Sequence, residues 1–496
     1  MNRAQRLARL LRVLAAVIAE PGLNPLELAD RAGVSERTLR RDLAQLRGLG
    51  YEVAYTSGYE VQEKLNLDGK SRGKKRSAAD DTETELLKAV AQAMGSAGLF
   101  KPLAESSPSR RQQAVQRQMN GEKPKPIVLL SGGHGDTDFL YATGFDVETA
   151  VYLRFDEKDD VLFTSPLEID RARVEAKVKQ VLVDRDAYVN DAWAGLAAKK
   201  LLERGFKRAR VSPNLRAAYL EDLRAAGLEA EVDRELFRAE RRHKSADQAE
   251  AIEDAQRAAE AAVVEVVTQL VKADIKDGLL WLEGSPLTSE RLYARAQLLL
   301  SEMGFTCPEM IIAGSPECAM PHYRGEGPIK ANAPVIIDIF PSSRKTHYNG
   351  DMTRTVVVGE ISGEVKRMHA AVLQALDAGI ETVAPGVPCR DVHHGVCQVL
   401  VDRGYGTTTA GYEGAEGGPK MNHSTGHGIG LDVHEEPKVR AAEKGPLQEG
   451  DVITVEPGLY LMGLGAVRIE DTGMVTKDGF KNFTTLTRSL DPRDYL

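Results

Sequence analysis

Four apolar segments in the second half of the chain each carry an acidic residue, and this pattern restricts how the chain can fold. The segments are APVIIDIF with Asp338, NGDMTRTVVVGEI with Asp351, GDVITVEPGLYL with Glu456 and GAVRIEDTGMV with Glu470. Asp338 is expected near the end of a buried strand, Asp351 at the head of a strand, and both glutamates inside strands. A buried carboxylate without a counter-charge is costly to ionise. Each acid must therefore reach the surface, form a salt bridge, for which Arg354 and Arg468 are candidates, or share bound cations.

Shared cations fit the set as a whole. Four carboxylates carry four negative charges, which two divalent ions would cancel, and a neutral imidazole would complete such a site. The segment HSTGHGIGLDVHEEP, residues 423–437, contains His423, His427 and His434. Carboxylates with one histidine and no thiolate suit Mn²⁺ and also allow Co²⁺ or Zn²⁺.

The order and surroundings of these residues resemble a known family. Asp338, Asp351, His427, Glu456 and Glu470 match the five metal ligands of the pita-bread metallopeptidases, which include aminopeptidase P, prolidase and methionine aminopeptidase, with creatinase as a metal-free relative. The resemblance implies that Asp351 and Glu470 bridge two divalent ions, most simply Mn²⁺. Asp338 would complete one ion, and His427 with Glu456 would complete the other.

The resemblance also implies catalytic roles beyond metal binding. Glu456 would act as the general base, while His322, His423 and His434 match histidines that surround the scissile bond. Arg468 would either hold the substrate carboxylate or order the site through a salt bridge. The other six histidines are expected to have structural roles.

One spacing departs from the family pattern. Asp338 and Asp351 are thirteen residues apart, two more than is usual, and the connection PSSRKTHYN has the character of a lengthened hairpin loop. An insertion at a hairpin tip need not move the strands. Both aspartates are therefore still expected at one site.

The family resemblance extends over about residues 126–490 and implies two domains. The segments DFLYATGF and RARVEAKV resemble a creatinase-type N-terminal domain, which we assign as α/β over residues 126–243. An α+β pita-bread catalytic domain follows over residues 244–496. This arrangement and the histidine-rich segment favour a proline-specific peptidase, either an Xaa-Pro aminopeptidase or an Xaa-Pro dipeptidase. The alternatives are a regulator whose peptidase-like domain senses a ligand without turnover, and a creatinase-like C–N hydrolase.

The N-terminal 50 residues are basic in a chain whose net charge of −8 otherwise argues against general nucleic-acid affinity. They contain nine arginines, no lysine and five acidic residues, a local charge of +4. Their apolar periodicity predicts a helix-turn-helix in which Leu39, Leu43 and Leu46 face inward. The exposed positions available for DNA contacts are Arg37, Thr38, Arg40 and Arg41.

A β-hairpin wing is expected next, in YEVAYTSGYEVQ. Residues 1–62 resemble the winged helix-turn-helix domains of bacterial regulators of the DeoR and WYL type. The alternative is a small helical protein-interaction module. The chain as a whole is thus expected to be multidomain, with a mainly α winged helix-turn-helix domain before the two domains described above.

Residues 63–125 are expected to form a basic and polar linker with one helical segment. Without an apolar run long enough for a membrane span or a signal-peptide pattern, we predict a cytoplasmic protein. The four cysteines lack a CxxC spacing and are expected to be reduced and buried. A homodimer is expected because winged regulators usually read paired half-sites and relatives of the peptidase commonly pair.

Overall fold

The structure is a computed structural model that describes residues 125–496 continuously. Before residue 125 it describes five single positions and two strands, namely Val13, Leu28, Ala29, Leu39, Leu43, β1 (Val53–Tyr55) and β2 (Tyr59–Val61). The chain divides into two compact units, residues 1–123 and residues 124–496. Each unit is described separately below.

In the first unit, Leu39 and Leu43 are helical and buried, as the predicted helix register requires. Strands β1 and β2 pair antiparallel with Val53 opposite Val61, which agrees with the predicted hairpin wing. Leu46 and the four candidate DNA-contacting residues, Arg37, Thr38, Arg40 and Arg41, lie outside the described residues. The linker predictions for residues 63–124 lie outside them as well.

The second unit begins with a six-stranded mixed sheet in the order β6-β5-β4-β3-β7-β8. Its strands are β3 (Ile127–Leu130), β4 (Ala150–Arg154), β5 (Asp160–Thr164), β6 (Gln180–Val183), β7 (Arg208–Val211) and β8 (Glu229–Val232). The connecting helices are α1 (Thr137–Thr143), α2 (Ile169–Glu175), α3 (Arg185–Asn190), α4 (Trp193–Glu203) and α5 (Ala217–Ala225). Apolar side chains on both faces of β3, β4 and β5 enter two separate core clusters, because helices cover both sides of the sheet.

Two helices lead out of this sheet. Helix α6 (Arg238–Arg242) is short, and α7 (Ala246–Val271) starts at a capping box in which Ser245 and Gln248 bond each other's backbone. The remaining helices are α8 (Ser289–Glu302), α9 (Gly363–Thr382) and α10 (Cys389–Asp402). Two 3₁₀ turns cover Glu317–Ala319 and Pro492–Tyr495.

The later strands form five small sheets. In chain order the strands are β9 (Asp274–Lys276), β10 (Leu279–Leu282), β11 (Ser285–Pro286), β12 (Phe305–Thr306), β13 (Ile311–Gly314), β14 (Pro334–Ile339), β15 (Ser342–Ser343), β16 (Met352–Val357), β17 (Gly406–Thr407), β18 (Lys420–Met421), β19 (Gly426–Gly428), β20 (Glu435–Val439), β21 (Val452–Val455), β22 (Gly458–Leu461), β23 (Gly465–Arg468), β24 (Asp471–Thr476) and β25 (Gly479–Asn482). Their sheet orders are β11-β10-β9, β12-β15, β13-β14-β16, β17-β18-β22-β23 and β20-β19-β21-β24-β25.

The chain passes three times between the four-stranded and the five-stranded sheet, first from β18 to β19. It leaves the five-stranded sheet after β21 to enter β22, and it returns from β23 to β24. Helices α7 and α8 pack on one core cluster, and α9 and α10 pack on another. The last two crossings and the sheet β13-β14-β16 contribute buried residues to these clusters, so acidic side chains there are shielded from water.

Two further observations concern composition. All four cysteines are free and buried, as predicted. Among the described residues, no helix has both the length and the apolar character that crossing a bilayer requires.

Candidate metal centre

The hairpin of β14 and β16 carries the first two acidic residues. Asp338 lies in β14 directly opposite Thr353 of β16, and Asp351 precedes Thr353 by two residues. Because alternate residues of a strand share a face, all three side chains point to the same side of the sheet. Asp338 and Asp351 are both buried. The longer connection between them leaves this alignment intact, as expected.

The lengthened loop and helix α7 hold this hairpin in place. The Asn349 side chain donates to the carbonyls of Gly430 and Leu431, both at 2.9 Å. The backbone N–H of Asp351 donates to the Gln256 side chain of α7 at 2.9 Å. The loop thus contacts the segment that follows His427 and helps to fix Asp351.

The two glutamates lie at the crossings between sheets, which corrects their predicted placement inside strands. Glu456 directly follows β21, where Pro457 lacks the N–H that a continuing ladder would need. Glu470 directly precedes β24. Its backbone N–H donates to the Thr353 carbonyl of strand β16 at 3.1 Å. The apolar sequence continues through Glu456 and Glu470 because both crossings are buried. Its pattern is therefore the same as that of an uninterrupted strand.

His427 completes the group from β19. Its Nε2 lies 3.6 Å from Asp351 Oδ2 and 3.5 Å from Glu456 Oε1. Ligand atoms of Asp351, His427 and Glu470 all lie within 4.8 Å of one another, and all three residues are buried. The structure thus brings together four of the five predicted ligands directly, and Asp338 lies on the same face as Asp351.

Without bound cations, the cluster has an excess of negative charge. Burial, followed by the charges of Glu470, Asp338 and Glu456, holds the pKa of Asp351 well above its usual range. Burial and the charges of Glu456 and Asp338 do the same to the pKa of Glu470. Burial raises the pKa of Glu456 to about 7. A crowded set of buried carboxylates can become charged only if cations accompany it.

Two polar atoms in the cluster fit a bound cation. Glu470 Oε1 is buried and has no hydrogen-bond partner among the described residues, whereas Oε2 accepts from Thr353 at 2.7 Å. Burial lowers the pKa of His427 to about 3, so its ring is neutral. Its Nδ1 lies 3.1 Å from the Gly428 carbonyl and must donate there, which leaves the Nε2 lone pair facing two carboxylates. Lone pairs that converge in this way repel each other unless a cation lies between them.

Arg468 is the buried cation beside the cluster. Its Nε donates to Thr353 at 3.1 Å, its Nη1 donates to Tyr460 at 2.9 Å, and its Nη2 bonds Asp338 Oδ2. Burial opposes its charge, but Tyr460, Asp338 and Glu456 raise the pKa of Arg468 above its usual range. Every guanidinium nitrogen thus has a partner within the protein.

His423 is connected to Arg468 through Tyr460. The Tyr460 hydroxyl lies 2.9 Å from His423 Nε2, while His423 Nδ1 donates to the Ser424 carbonyl at 2.7 Å. Burial, and then the charge of Arg468, lower the pKa of His423 to about 4. Sequence reasoning missed Tyr460, because nothing in GLYL distinguishes it from a core tyrosine.

His434 and His322 lie at the exposed edge of the cluster. The His434 ring meets the His427 ring edge-on, with 4.3 Å between centroids. Burial lowers the pKa of His434, and the charges of Lys438 and His322 lower it further. His423, His427 and His434 therefore lie beside the carboxylates, and the charge of His322 acts on both His423 and His434.

His393 also supports this region, although nothing in its sequence pattern singles it out. This buried residue of α10 bonds Thr425 at 2.9 Å and Thr409 at 2.7 Å. The Thr425 carbonyl in turn accepts the N–H of Glu456 at 2.8 Å. His393 therefore braces the segment between His423 and His427 from behind.

Comparisons with known proteins give two family matches. The profile of metallopeptidase family M24 matches residues 250–477, and that of a helix-turn-helix domain family matches residues 9–60. The M24 match contains all five clustered residues. The helix-turn-helix match contains the four candidate DNA-contacting residues.

Individual relatives agree with the larger match. The chain is 28% identical to an Xaa-Pro dipeptidase of Pyrococcus horikoshii over 355 residues, which are 71% of this chain and 91% of that protein. It is 34% identical to an Xaa-Pro dipeptidase of Pyrococcus furiosus over 200 residues, 40% of this chain and 53% of that protein. The crystal structure of the P. horikoshii prolidase superimposes with a TM-score of 0.63 and 26% identity, covering 77% of this chain and 100% of that one.

Proposed function

We propose that this chain, in which residues 250–477 form a domain of metallopeptidase family M24 and residues 9–60 a helix-turn-helix domain, cleaves the peptide bond before proline. The chain is a metal-dependent peptidase. Its substrate class, an Xaa-Pro peptide, is supported by relatives named Xaa-Pro dipeptidase. The observation that carries the proposal is the buried group of Asp351, His427 and Glu470, with an unpartnered carboxylate oxygen and an imidazole lone pair turned towards one point.

The residues that would hold two divalent ions are Asp338, Asp351, His427, Glu456 and Glu470. Asp351 and Glu470 are proposed as the ligands shared by both ions, as the resemblance to the pita-bread metallopeptidases implies. When bound, the ions would supply an activated water and Lewis-acid polarisation of the scissile carbonyl. We propose Mn²⁺ as the native ion on the basis of the oxygen-rich donor set.

The chain's own groups would handle protons and orient the peptide. Glu456, next to His427 and only partly exposed, is proposed as the general base that takes the proton of the attacking water. His434 and His322, at the open edge, would donate hydrogen bonds to the scissile region. His423 would act from the buried side, held by Tyr460. Arg468 is proposed to order Asp338 and Tyr460 rather than to bind substrate.

The first test is hydrolysis by the full-length protein after removal of metal with a chelator and dialysis into Mn²⁺. We expect release of proline from an Xaa-Pro dipeptide only in the metal-loaded sample, with metal analysis giving about two ions per chain. An Xaa-Ala dipeptide is the matched control for proline specificity. An Xaa-Pro-Yaa tripeptide separates an aminopeptidase, which cleaves it, from a strict dipeptidase.

Two outcomes would favour the other functions. Ligand binding without turnover in the fully metal-loaded protein would support a sensor of peptides. Hydrolysis of creatine that persists in the metal-free protein would support creatinase-like chemistry. Either result would contradict the peptidase assignment.

The N-terminal domain is proposed to bind DNA through Arg37, Thr38, Arg40 and Arg41. We expect salt-dependent binding to the protein's own promoter region, with Arg40→Ala and Arg41→Ala each weakening the affinity about tenfold, as loss of one DNA contact costs about 1–3 kcal/mol. Fluorescence anisotropy at several salt concentrations measures both the affinity and the salt slope. Glu470→Gln, which alters only the metal centre, serves as the control and should bind DNA normally. Unchanged affinity in both arginine variants would favour the protein-interaction module.

The finer organisation is proposed on the same basis. The six-stranded sheet region, residues 126–243, is proposed as the creatinase-type domain and residues 244–496 as the catalytic domain, after a winged helix-turn-helix over residues 1–62 and a linker over residues 63–125. We also propose a homodimer, since paired DNA half-sites and pairing of peptidase relatives both favour one.

A further inference from the structure

Arg241, at the end of α6, joins the six-stranded sheet region to the loop that carries His434. Its Nη1 lies 3.3 Å from Asp138 Oδ1, a residue of α1. Its Nη2 donates to Asp432 Oδ2 at 2.6 Å and to Glu435 Oε2 at 2.5 Å. The Arg241 side chain is 11% exposed. One buried guanidinium therefore binds residues on both sides of His434 and anchors them to a separate part of the fold.

Other contacts also hold Asp432 and Glu435, the two carboxylates on either side of His434. Thr137 of α1 donates to Asp432 Oδ2 at 3.0 Å, and Lys244, which is almost fully buried, bonds the second oxygen of Glu435. At the start of the loop, Asn349 donates to the carbonyls of Gly430 and Leu431. His434 thus lies within a short loop whose flanking residues are fixed, and its ring meets the His427 ring.

Arg241 balances much of the negative charge of Asp138, Asp432 and Glu435. Asp138, Asp432 and Glu435 carry three negative charges, and Arg241 and Lys244 supply two positive ones. Among the described residues, Arg241 is the cation that contacts all three carboxylates. Without it, Asp138, which is buried and also accepts from Ser212, would face the partly exposed Asp432 with no cation between them, and a buried carboxylate that loses its cation is strongly unfavourable. The least costly relief is an outward shift of the exposed end, which is the loop with Asp432 and His434.

We propose that Arg241 is a positioning residue that holds loop 430–435 so that His434 faces the scissile bond. This inference rests on the proposed peptidase function and adds to it a route by which the six-stranded sheet region contributes to catalysis. Arg241 does not reach the metal centre itself. Its effect on turnover must therefore pass through the placement of His434.

The test compares Arg241→Gln with Arg242→Gln in the full-length, Mn²⁺-loaded protein. Arg242 is the matched control because it is the next residue, is also mostly buried, and pairs with Asp451 and the Pro446 carbonyl instead of the His434 loop. We expect Arg241→Gln to lower kcat about 10- to 100-fold, because a displacement of about 1 Å at a reacting centre can cost 10²-fold. Arg241→Lys should restore part of the loss, and metal content should stay the same in all variants.

A double-mutant cycle identifies the route of the effect. In a His434→Ala background, Arg241→Gln should cause little further loss of kcat, because residues that act through one another are not additive. Hydrogen–deuterium exchange supplies a measurement that does not need activity: amides of loop 430–435 should exchange faster in Arg241→Gln and at the wild-type rate in Arg242→Gln.

These measurements separate failure of the inference from failure of the proposed function. A wild-type protein without any Xaa-Pro hydrolysis would contradict the peptidase function, while exchange confined to loop 430–435 in Arg241→Gln would still support the positioning role. Unchanged loop exchange in Arg241→Gln would overturn the inference. So would an equal loss of kcat in the presence and absence of the His434 side chain.

Discussion

Glu470→Gln is expected to lower Xaa-Pro hydrolysis by about 10³-fold or more, because Lewis-acid stabilisation is worth several kcal/mol and each 1.4 kcal/mol or so is a factor of ten in rate. Glu470 is proposed to bridge both ions, and its Oε1 is a buried oxygen without a hydrogen-bond partner among the described residues. Glutamine keeps the size and the bond from Thr353 but removes the charge. The variant should also bind fewer than two ions per chain.

The measurement is kcat/KM for an Xaa-Pro dipeptide together with metal analysis of the same preparation. Asp478→Asn is the matched control, since Asp478 is an exposed acid in the turn that follows the same strand β24. In the metal-free state, Glu470→Gln should not reduce thermal stability, because it removes one charge from a crowded group. Full metal content with near-normal turnover would show that Glu470 is not a ligand.

The sequence predicted the convergence of these residues better than their exact positions on strands. Asp338 lies on β14 and Asp351 directly before its partner strand β16, as expected, because apolar runs of that length have few alternatives in a buried sheet. Glu456 and Glu470 were expected inside strands but lie where the chain changes sheets. Burial on both sides makes a crossing as apolar as a strand, so periodicity does not distinguish the two.

The residues that support the site could not be identified from the sequence, for a different reason. Thr353, Tyr460 and His393 each act through a partner that is distant in the chain or lies on another element. A threonine in a strand or a histidine on a helix has the same local pattern whether or not such a partner exists. Only the folded chain identifies these partners. The family resemblance named residues that are expected to contact metal or substrate, and it carried no information about those that hold them.

The sequence allowed two roles for Arg468, binding the substrate carboxylate or ordering the site through a salt bridge. The contacts of Arg468 lead to a prediction that distinguishes the two. Arg468→Met keeps the approximate volume but leaves Asp338, Tyr460 and Thr353 without their shared donor. We expect the free energy of unfolding of the metal-free protein to fall by about 3–5 kcal/mol, the usual consequence of removing one partner from a buried ion pair. The loss should be smaller with Mn²⁺ bound, since the ions would then offset the charge of Asp338.

Chemical denaturation with and without Mn²⁺ measures this difference, and steady-state kinetics on an Xaa-Pro dipeptide completes the test. Arg344→Met is the control, because Arg344 is an exposed arginine of the neighbouring hairpin loop whose side chain bonds Ser301. An ordering role predicts a large loss of stability and a fall in kcat, since Asp338 and His423 would both lose their support. A role in holding the substrate carboxylate predicts normal stability and a raised KM, because the guanidinium would then be free for the peptide. The three bonds that Arg468 makes within the protein favour the first result.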